Sequence, residues 1–259
     1  MKKLIIRAIS GLIIVLLTIF VVSRGGTLMS YFTFLLSIIG IREFYNAMEG
    51  TKVVPIKIIG YISCIGFLFN SLGYKWASLI FISFFSIIAL LIIFVLNKGT
   101  TLTDITITFF GIFYIPFLFQ HIIYLDGDIY IWLVFIIAWG TDTFAYIFGN
   151  LFGKNKLCPK LSPNKTIEGS LGGVLGSIAL TVLFAKYFGL TPLWKLILLS
   201  IIGAIIAQIG DLAASKIKRI TGIKDFGFIM PGHGGIMDRF DSILFTAPFV
   251  YYFVNYFIL

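Results

Sequence analysis

The stretch WASLIFISFFSIIALLIIFVL, Trp76–Leu96, contains no charged residue, and its only polar side chains besides the indole are serines. At about 1.5 Å per residue, a helix of that length spans roughly 30 Å, the thickness of a bilayer's hydrocarbon core. Nothing in it alternates polar with apolar, as the strand of a membrane barrel would over roughly ten residues. In lipid only a helix or a closed barrel satisfies its own backbone, so a continuous apolar run means a helix. Such runs recur along the whole 259-residue chain, which is 59% hydrophobic, 12% charged and holds 28 Phe, with a mean hydropathy of +1.04. The fold class expected is all-α, a polytopic membrane helical bundle of about nine transmembrane helices rather than a soluble domain around one core.

Working outward, the spans fall near Leu4–Val22, Leu28–Asn46, Val54–Leu72, Trp76–Leu96, Leu102–Leu125, Ile129–Phe152, Ile167–Phe188, Leu193–Ala214 and Phe240–Leu259. The first run has the charged-then-apolar order of a signal peptide, but SRGGTL after it offers no small-residue cleavage site, so it reads as a retained span. Cys64 lies in an apolar run and Cys158 in a basic loop, which indicates no disulfide framework. The organisation is five N-terminal spans in residues 1–130, then residues 131–259 with two polar loops.

Of the 20 Lys and Arg, 16 lie on the side of the N-terminus in this model of the spans, and only Arg24, Lys75, Lys186 and Lys195 lie on the other. The positive-inside rule then puts the N-terminus in the cytosol, the C-terminus outside, and both polar loops on the cytosolic face. The net charge of +9 is explained by topology, with no nucleic-acid partner required.

Everything polar enough for chemistry lies between Asp142 and Ser242. Asp142, in IIAWGTDTFAYIFG, sits deep in its span, where a carboxylate costs about 2.5–3.5 kcal/mol on insertion scales. It must face a wet cavity, a cation, or a hydroxyl or Arg on a neighbouring helix. In SPNKTIEG, Pro163 reads as a turn, Thr166 as the cap of the next helix, and Glu168 as a first-turn acid beside the positive end of the dipole. A capped helix start beside Lys165 also makes an anion site. The piece GNLFGKN fails as a phosphate loop, because its glycine spacing is short by one and no Ser or Thr follows the lysine. The overlapping pairs Gly169/Gly173 and Gly172/Gly176 read as helix-packing faces.

In GAIIAQIGDLAASKIKR, Gly203, Ala207, Asp211, Ala214, Ser215 and Lys218 share one helical face. Asp211 stands at the unfavourable negative end of the helix dipole, which a bound cation, or a pairing with Lys218 or Arg219, would offset. Gly232, Gly234 and Gly235 allow close backbone approach to an anion, and Asp238 and Asp241 follow one turn apart. His233 between them reads most simply as a satisfied polar group. Carboxylates at two helix ends, basic residues and a glycine loop together point to a divalent metal clamping a polyphosphate.

At this point SKIKRITGIKDFGFIMPGHGGIMDRFDS, Ser215–Ser242, resembles the signature of the phosphatidate cytidylyltransferase, or CDP-diacylglycerol synthase, family. The elements are S-x-x-K-R, K-D, P-G-H-G-G and D-R-x-D; DTFAY, SPNKTIEG and the number of spans extend the likeness over the C-terminal half. The resemblance implies that CTP and phosphatidate give CDP-diacylglycerol and pyrophosphate, with Mg2+ and room for a second cation, in a homodimer within the cell (inner) membrane. By matching positions Asp211 and Asp238 would hold metal, and Lys218, Arg239 and Asp241 would act with them. Ser162, Lys165, Thr166, Glu168, Ser215, Arg219, Lys224, His233, Gly234, Gly235 and Asp142 would lie on the substrate side. Residues 131–259 would then be the catalytic region. The sequence departs at Asn164, where the family usually has lysine. Alternatives are a CTP-dependent lipid kinase, separated by its product, and a secondary transporter with intramembrane carboxylates, which would need no glycine-rich cytosolic loop. A CDP-alcohol phosphotransferase would require D-G-x-x-A-R, which DGDIYIW after Leu125 lacks.

Overall fold

The computed structural model describes residues 2–230, 232 and 234–259, with side chains from Ile9 onward. Its helices are α1 (Lys2–Arg24), α2 (Gly26–Glu49), α3 (Lys57–Ser71), α4 (Leu79–Leu96), α5 (Leu102–Ile112), α6 (Leu118–Ile123), α7 (Ile131–Phe152), α8 (Ile167–Phe188), α9 (Leu193–Thr221) and α10 (Met237–Phe253). Short π-helical turns at Phe113–Phe117 and Val254–Ile258 join α5 to α6 and extend α10. Pro116 lies inside the first of these, where its missing N–H interrupts the regular ladder without ending the helix. Each of the nine expected runs overlaps helix, although Val54–Leu72 begins in the coil before α3 and Trp76–Leu96 is broken at Ser78. Among the described residues, six helices are long and apolar enough to cross a membrane: Gly26–Glu49, Leu79–Leu96, Leu102–Ile123, Ile131–Phe152, Ile167–Phe188 and Leu193–Thr221. The chain is an integral membrane protein with an all-α polytopic fold.

One short exception breaks the helical rule. Lys156–Cys158 (β1) and Ser162–Thr166 (β2) pair antiparallel, with Lys156 opposite Thr166 and Cys158 opposite Ser162. The turn lies at Pro159–Leu161, closed by Leu161 N–H donating to Cys158 O at 3.1 Å. Pro163, expected in a turn, instead stands within β2; a two-stranded ribbon has free edges where a residue without an N–H is tolerated.

The chain forms two compact units: Met1–Gly127 with Ile220–Arg239, and Asp128–Arg219 with Phe240–Leu259. In the first, buried aromatic and hydroxyl groups tie α2 to α5 and the π-helical turn after it: Phe44 meets Tyr114 of that turn edge-on, and Tyr45 Oη donates to Thr108 O on α5 at 2.7 Å. Thr101 and Asp104 form a capping box at the start of α5, and Asp104 Oδ1 also accepts from Val54 N at 2.7 Å, so one carboxylate fixes both the helix start and the approach to α3. Asp126 Oδ2 accepts from Gly26 N at 2.6 Å, holding the tight, positive-φ junction between α1 and α2.

In the second unit α7 and α8 lie against each other along the glycine face of α8. A methyl at Gly173 would stand 2.8 Å from Thr141 O and 3.1 Å from Ala145 Cβ, and at Gly169 2.7 Å from Ala145 O. At Gly172 and Gly176 it would overlap Phe148 and Phe144. The four glycines are thus a packing face, as their spacing predicts. Gly210 on α9 plays the same part towards α10, with a methyl there 2.7 Å from Asp241 O. Ser177 and Ser200 hydroxyls, both buried, meet at 2.8 Å between α8 and α9 and so satisfy one another away from water.

Candidate active site

In the second unit the acidic residues come from three helices. Close glycine contacts let α7, α9 and α10 present Asp142, Asp211 and Asp241 near one another: Asp241, buried, lies within electrostatic reach of Asp211, Asp142 and Lys218. Asp142 has the hydroxyl partner that its depth demands, since Ser242 Oγ donates to its Oδ2 at 3.0 Å. Asp241 Oδ1 accepts from Ser242 N at 2.8 Å. Asp211 is held by Lys165, whose Nζ lies 2.5 Å from Oδ2, with both side chains about a quarter exposed. Ser215, one turn on, reaches Asp211 Oδ1 at 3.4 Å, as the i, i+4 spacing provides.

The β-hairpin delivers Lys165. Ser162 opens β2 opposite Cys158, Asn164 is exposed, Lys165 is half-buried against α9, and Thr166 ends the strand by capping α8, Gly169 N donating to its Oγ1 at 3.0 Å. Glu168, in the first turn of α8, accepts from Lys154 N at 3.1 Å, from Asn155 N at 3.1 Å and from Asn155 Nδ2 at 2.8 Å. A carboxylate at a helix N-terminus therefore also fastens the segment entering the hairpin. Arg219 reaches the hairpin from the end of α9, its Nε donating to Leu161 O at 3.2 Å.

In the first unit the segment after α9 folds on itself. Lys224 is exposed and Phe226 buried; Met230 N donates to Gly234 O at 2.9 Å, and Gly232 and Gly234 adopt positive φ of 75° and 85°, which side chains disfavour. Asp238, buried at the start of α10, accepts at Oδ2 from Phe226 N at 2.8 Å and Gly235 N at 2.9 Å. A methyl at Gly234 would stand 2.7 Å from that same oxygen. The room left by the missing side chain is taken here by the protein's own carboxylate. Arg239 is exposed beside it. His233 lies outside the described residues.

Among the described residues, no three His, Cys, Asp or Glu side chains are grouped so as to hold a metal ion. Magnesium rarely needs three: it is held by one or two carboxylates and completes its octahedron with water and substrate phosphates. The donors here are carboxylate oxygens, hard ligands of the kind Mg2+ takes, and the Asp211–Asp241 neighbourhood places like charges together in a way that a cation would relieve. The residues present fit such an ion.

Sequence reasoning missed two participants. Ser242 ended the motif without a role of its own. Glu43, on α2, is buried and accepts two backbone N–H groups from the start of α10. In sequence it stands beside Arg42 near the polar end of its span, so only its burial marks it out.

The comparisons with known proteins agree over nearly the whole chain. The model of the cytidylyltransferase family matches residues 5–257. A phosphatidate cytidylyltransferase of Staphylococcus haemolyticus is 38% identical over 253 residues, covering 94% of this chain and 96% of that protein. Those of Staphylococcus epidermidis and Staphylococcus aureus are each 36% identical, over 252 and 255 residues, with the same coverage.

Proposed function

We infer the reaction from two facts together: the chain belongs to the cytidylyltransferase family, and its second unit gathers Asp142, Asp211 and Asp241 with Lys165 and Lys218. The chain is a membrane nucleotidyltransferase that converts CTP and phosphatidate to CDP-diacylglycerol and pyrophosphate, a step of phospholipid biosynthesis. The observation that carries this reading is the conjunction of relatives so named over 94% of the chain with an acidic and basic cluster in a membrane protein.

The chemistry needs little from a general base. A phosphate oxygen of phosphatidate, already anionic, attacks the α-phosphorus of CTP; the bond from that phosphorus to the bridging oxygen breaks, and pyrophosphate leaves with the electron pair. The barrier lies in bringing two anions together and in the charge that develops on the leaving group. Lys165, Lys218, Arg219, Lys224 and Arg239 would bind and orient the phosphates, with Ser162 and Ser215 supplying hydroxyl donors. Displacement of the Lys165 ammonium from Asp211 by substrate would free that charge for a phosphate and the carboxylate for a cation. Asp142, fixed by Ser242, would keep Asp241 oriented.

Mg2+ is proposed as the cofactor, held by Asp211 and Asp238; when bound it would neutralise phosphate charge and polarise the breaking bond. The pairing of these two residues rests on the sequence pattern, and the fit of the donors rests on their hard oxygens. Further proposals are a homodimer, residence in the cell (inner) membrane, a cytosolic active site, an internal N-terminus and an external C-terminus. The 16-to-4 division of basic residues supports that orientation. The test is purified protein in detergent with phosphatidate and each nucleoside triphosphate in turn. Pyrophosphate and a cytidine-linked lipid are expected with CTP; a phosphorylated lipid with CDP as co-product would mean a lipid kinase instead.

A further inference from the structure

Glu43 sits on α2 about two turns before the end of the helix and is 5% exposed. Its Oε1 accepts from Ile236 N at 3.1 Å and its Oε2 from Met237 N at 2.9 Å. These are the amides at the start of α10, whose N–H groups have no partner within the helix. Helix starts are usually capped by the residue just before them; here the cap comes from 193 and 194 positions away. The two carboxylates divide the work: Asp238 takes Phe226 N and Gly235 N, and Glu43 takes the next two amides, Ile236 and Met237.

Packing around Glu43 is close on every side that the loop offers. A methyl at Gly227 or at Gly235 would overlap its carboxylate, and Met237 lies against Gly40 one turn earlier on α2, 3.3 Å from Sδ to the position a methyl would take. The loop therefore has glycines at two points where Glu43 reaches between its backbone strands. Two N–H donors aimed at two oxygens need a carboxylate, because an amide side chain offers one acceptor and would turn its own N–H2 on the second donor. A buried charge in a membrane helix is costly unless satisfied, and this one is satisfied by the loop alone among the contacts seen.

We propose that Glu43 is a positioning residue for the transfer reaction, fixing the glycine loop and the first turn of α10 so that Asp238 and Arg239 are presented in one orientation. Glu43 acts through the backbone of residues 235–237 and touches neither substrate. The proposal rests on the transfer reading above.

The variant is Glu43→Gln, with Gly227→Ala as a second that leaves the carboxylate charge intact but displaces it. Two readouts are taken on each full-length protein in detergent: hydrogen–deuterium exchange of the peptide covering residues 234–240, and kcat and KM for CTP. Faster exchange confined to that peptide is expected, with kcat lowered about 10- to 100-fold, the range for a residue that orients a metal ligand from behind, and KM for CTP changed by less than about threefold. Combining the two changes should cost little more than the worse alone, because both act on one contact. Unchanged exchange in the peptide overturns the holding role; faster exchange with wild-type kcat overturns the positioning role; a general rise in exchange across α2 and α5 shows a residue that only stabilises the fold and overturns it too. If Glu43→Gln yields no folded protein, Gly227→Ala carries both measurements. A parent protein that forms no pyrophosphate removes the transfer reading together with the catalytic half of the proposal, whereas the exchange result still decides whether Glu43 holds the loop.

Discussion

Gly173→Ala tests whether the glycine face of α8 sets the position of Asp142. The added methyl would stand 2.8 Å from Thr141 O and 3.1 Å from Ala145 Cβ, both on α7. Comfortable contacts begin near 3.5 Å, so α7 must retreat by about 0.5 Å. Overpacking of this kind costs about 1–3 kcal/mol. Replacing glycine by alanine inside a helix returns about 1 kcal/mol through propensity. The net expectation is a loss of roughly 0–2 kcal/mol, and a stability gain would show that the contact is not felt. Activity should respond more clearly. Asp142 adjoins Thr141, so a retreat of α7 shifts its carboxylate relative to Ser242, and displacement of about 1 Å at an oriented group costs about 100-fold. Half that movement leads us to expect about a tenfold fall in kcat. The assays are thermal unfolding in detergent and steady-state cytidylyl transfer, with Leu175→Ala as comparison, since Leu175 lies on the same helix at 61% exposure. Unchanged turnover in Gly173→Ala, or an equal loss in Leu175→Ala, would refute the link from the glycine face to Asp142.

Asp211→Asn and Asp238→Asn should each weaken Mg2+ binding, raising the Mg2+ concentration needed for activity, and lower turnover at least about 100-fold, with the double variant little worse than the poorer single one, as for residues acting as a unit; near-wild-type activity in either single variant, or multiplied losses in the double, would sink the shared-metal proposal. Asn164→Lys, at an exposed position next to Lys165, should lower the KM for CTP by no more than about tenfold, equivalent to about 1.4 kcal/mol; loss of folded protein would give Asn164 a structural part in β2. Single cysteines at Asn155 and Ile223, in a background without Cys64 and Cys158, should react with an impermeant reagent only from the cytosolic face and one at Gly127 only from outside, and the reverse pattern would overturn the nine-span orientation.

The parts of this molecule that could be read from sequence are those whose cause is local. Helices appear where apolar runs are continuous, because lipid leaves the backbone no alternative. Thr166 caps α8 because an N-cap needs only its own next three residues, and Gly169, Gly172, Gly173 and Gly176 mark a packing face because their spacing keeps them on one side of a helix. The β1–β2 ribbon was not legible: strands of three and five residues are too short to show a period, and the lysines and prolines of residues 154–165 look like an ordinary polar loop. The sequence marks Lys165 as a cation near a helix start, but its partner Asp211 depends on how α9 lies against the hairpin, which no local pattern encodes.

The same distinction explains why Asp238 and Glu43 differ in legibility although they hold one loop. Asp238 contacts Gly235, three residues away, and a D-R-x-D motif after a glycine loop draws the eye to it. Glu43 contacts Ile236 and Met237 across almost the whole chain, and its surroundings, IREFYNAMEG, read as the polar end of a span where an acid needs no explanation. Only the depth of burial alters that reading. A surface glutamate could be replaced by glutamine at little cost, whereas one that is 5% exposed and faces two N–H donors cannot be without leaving a donor unmatched. The glycines at 227 and 235 follow from the same cause: they make room for a carboxylate that belongs to another helix. Their absence of side chains is therefore explained by Glu43 before any substrate is considered, the room at Gly234 is taken in the same way by Asp238, and an anion-binding role for glycine in this loop must rest on Gly232, which also has positive φ.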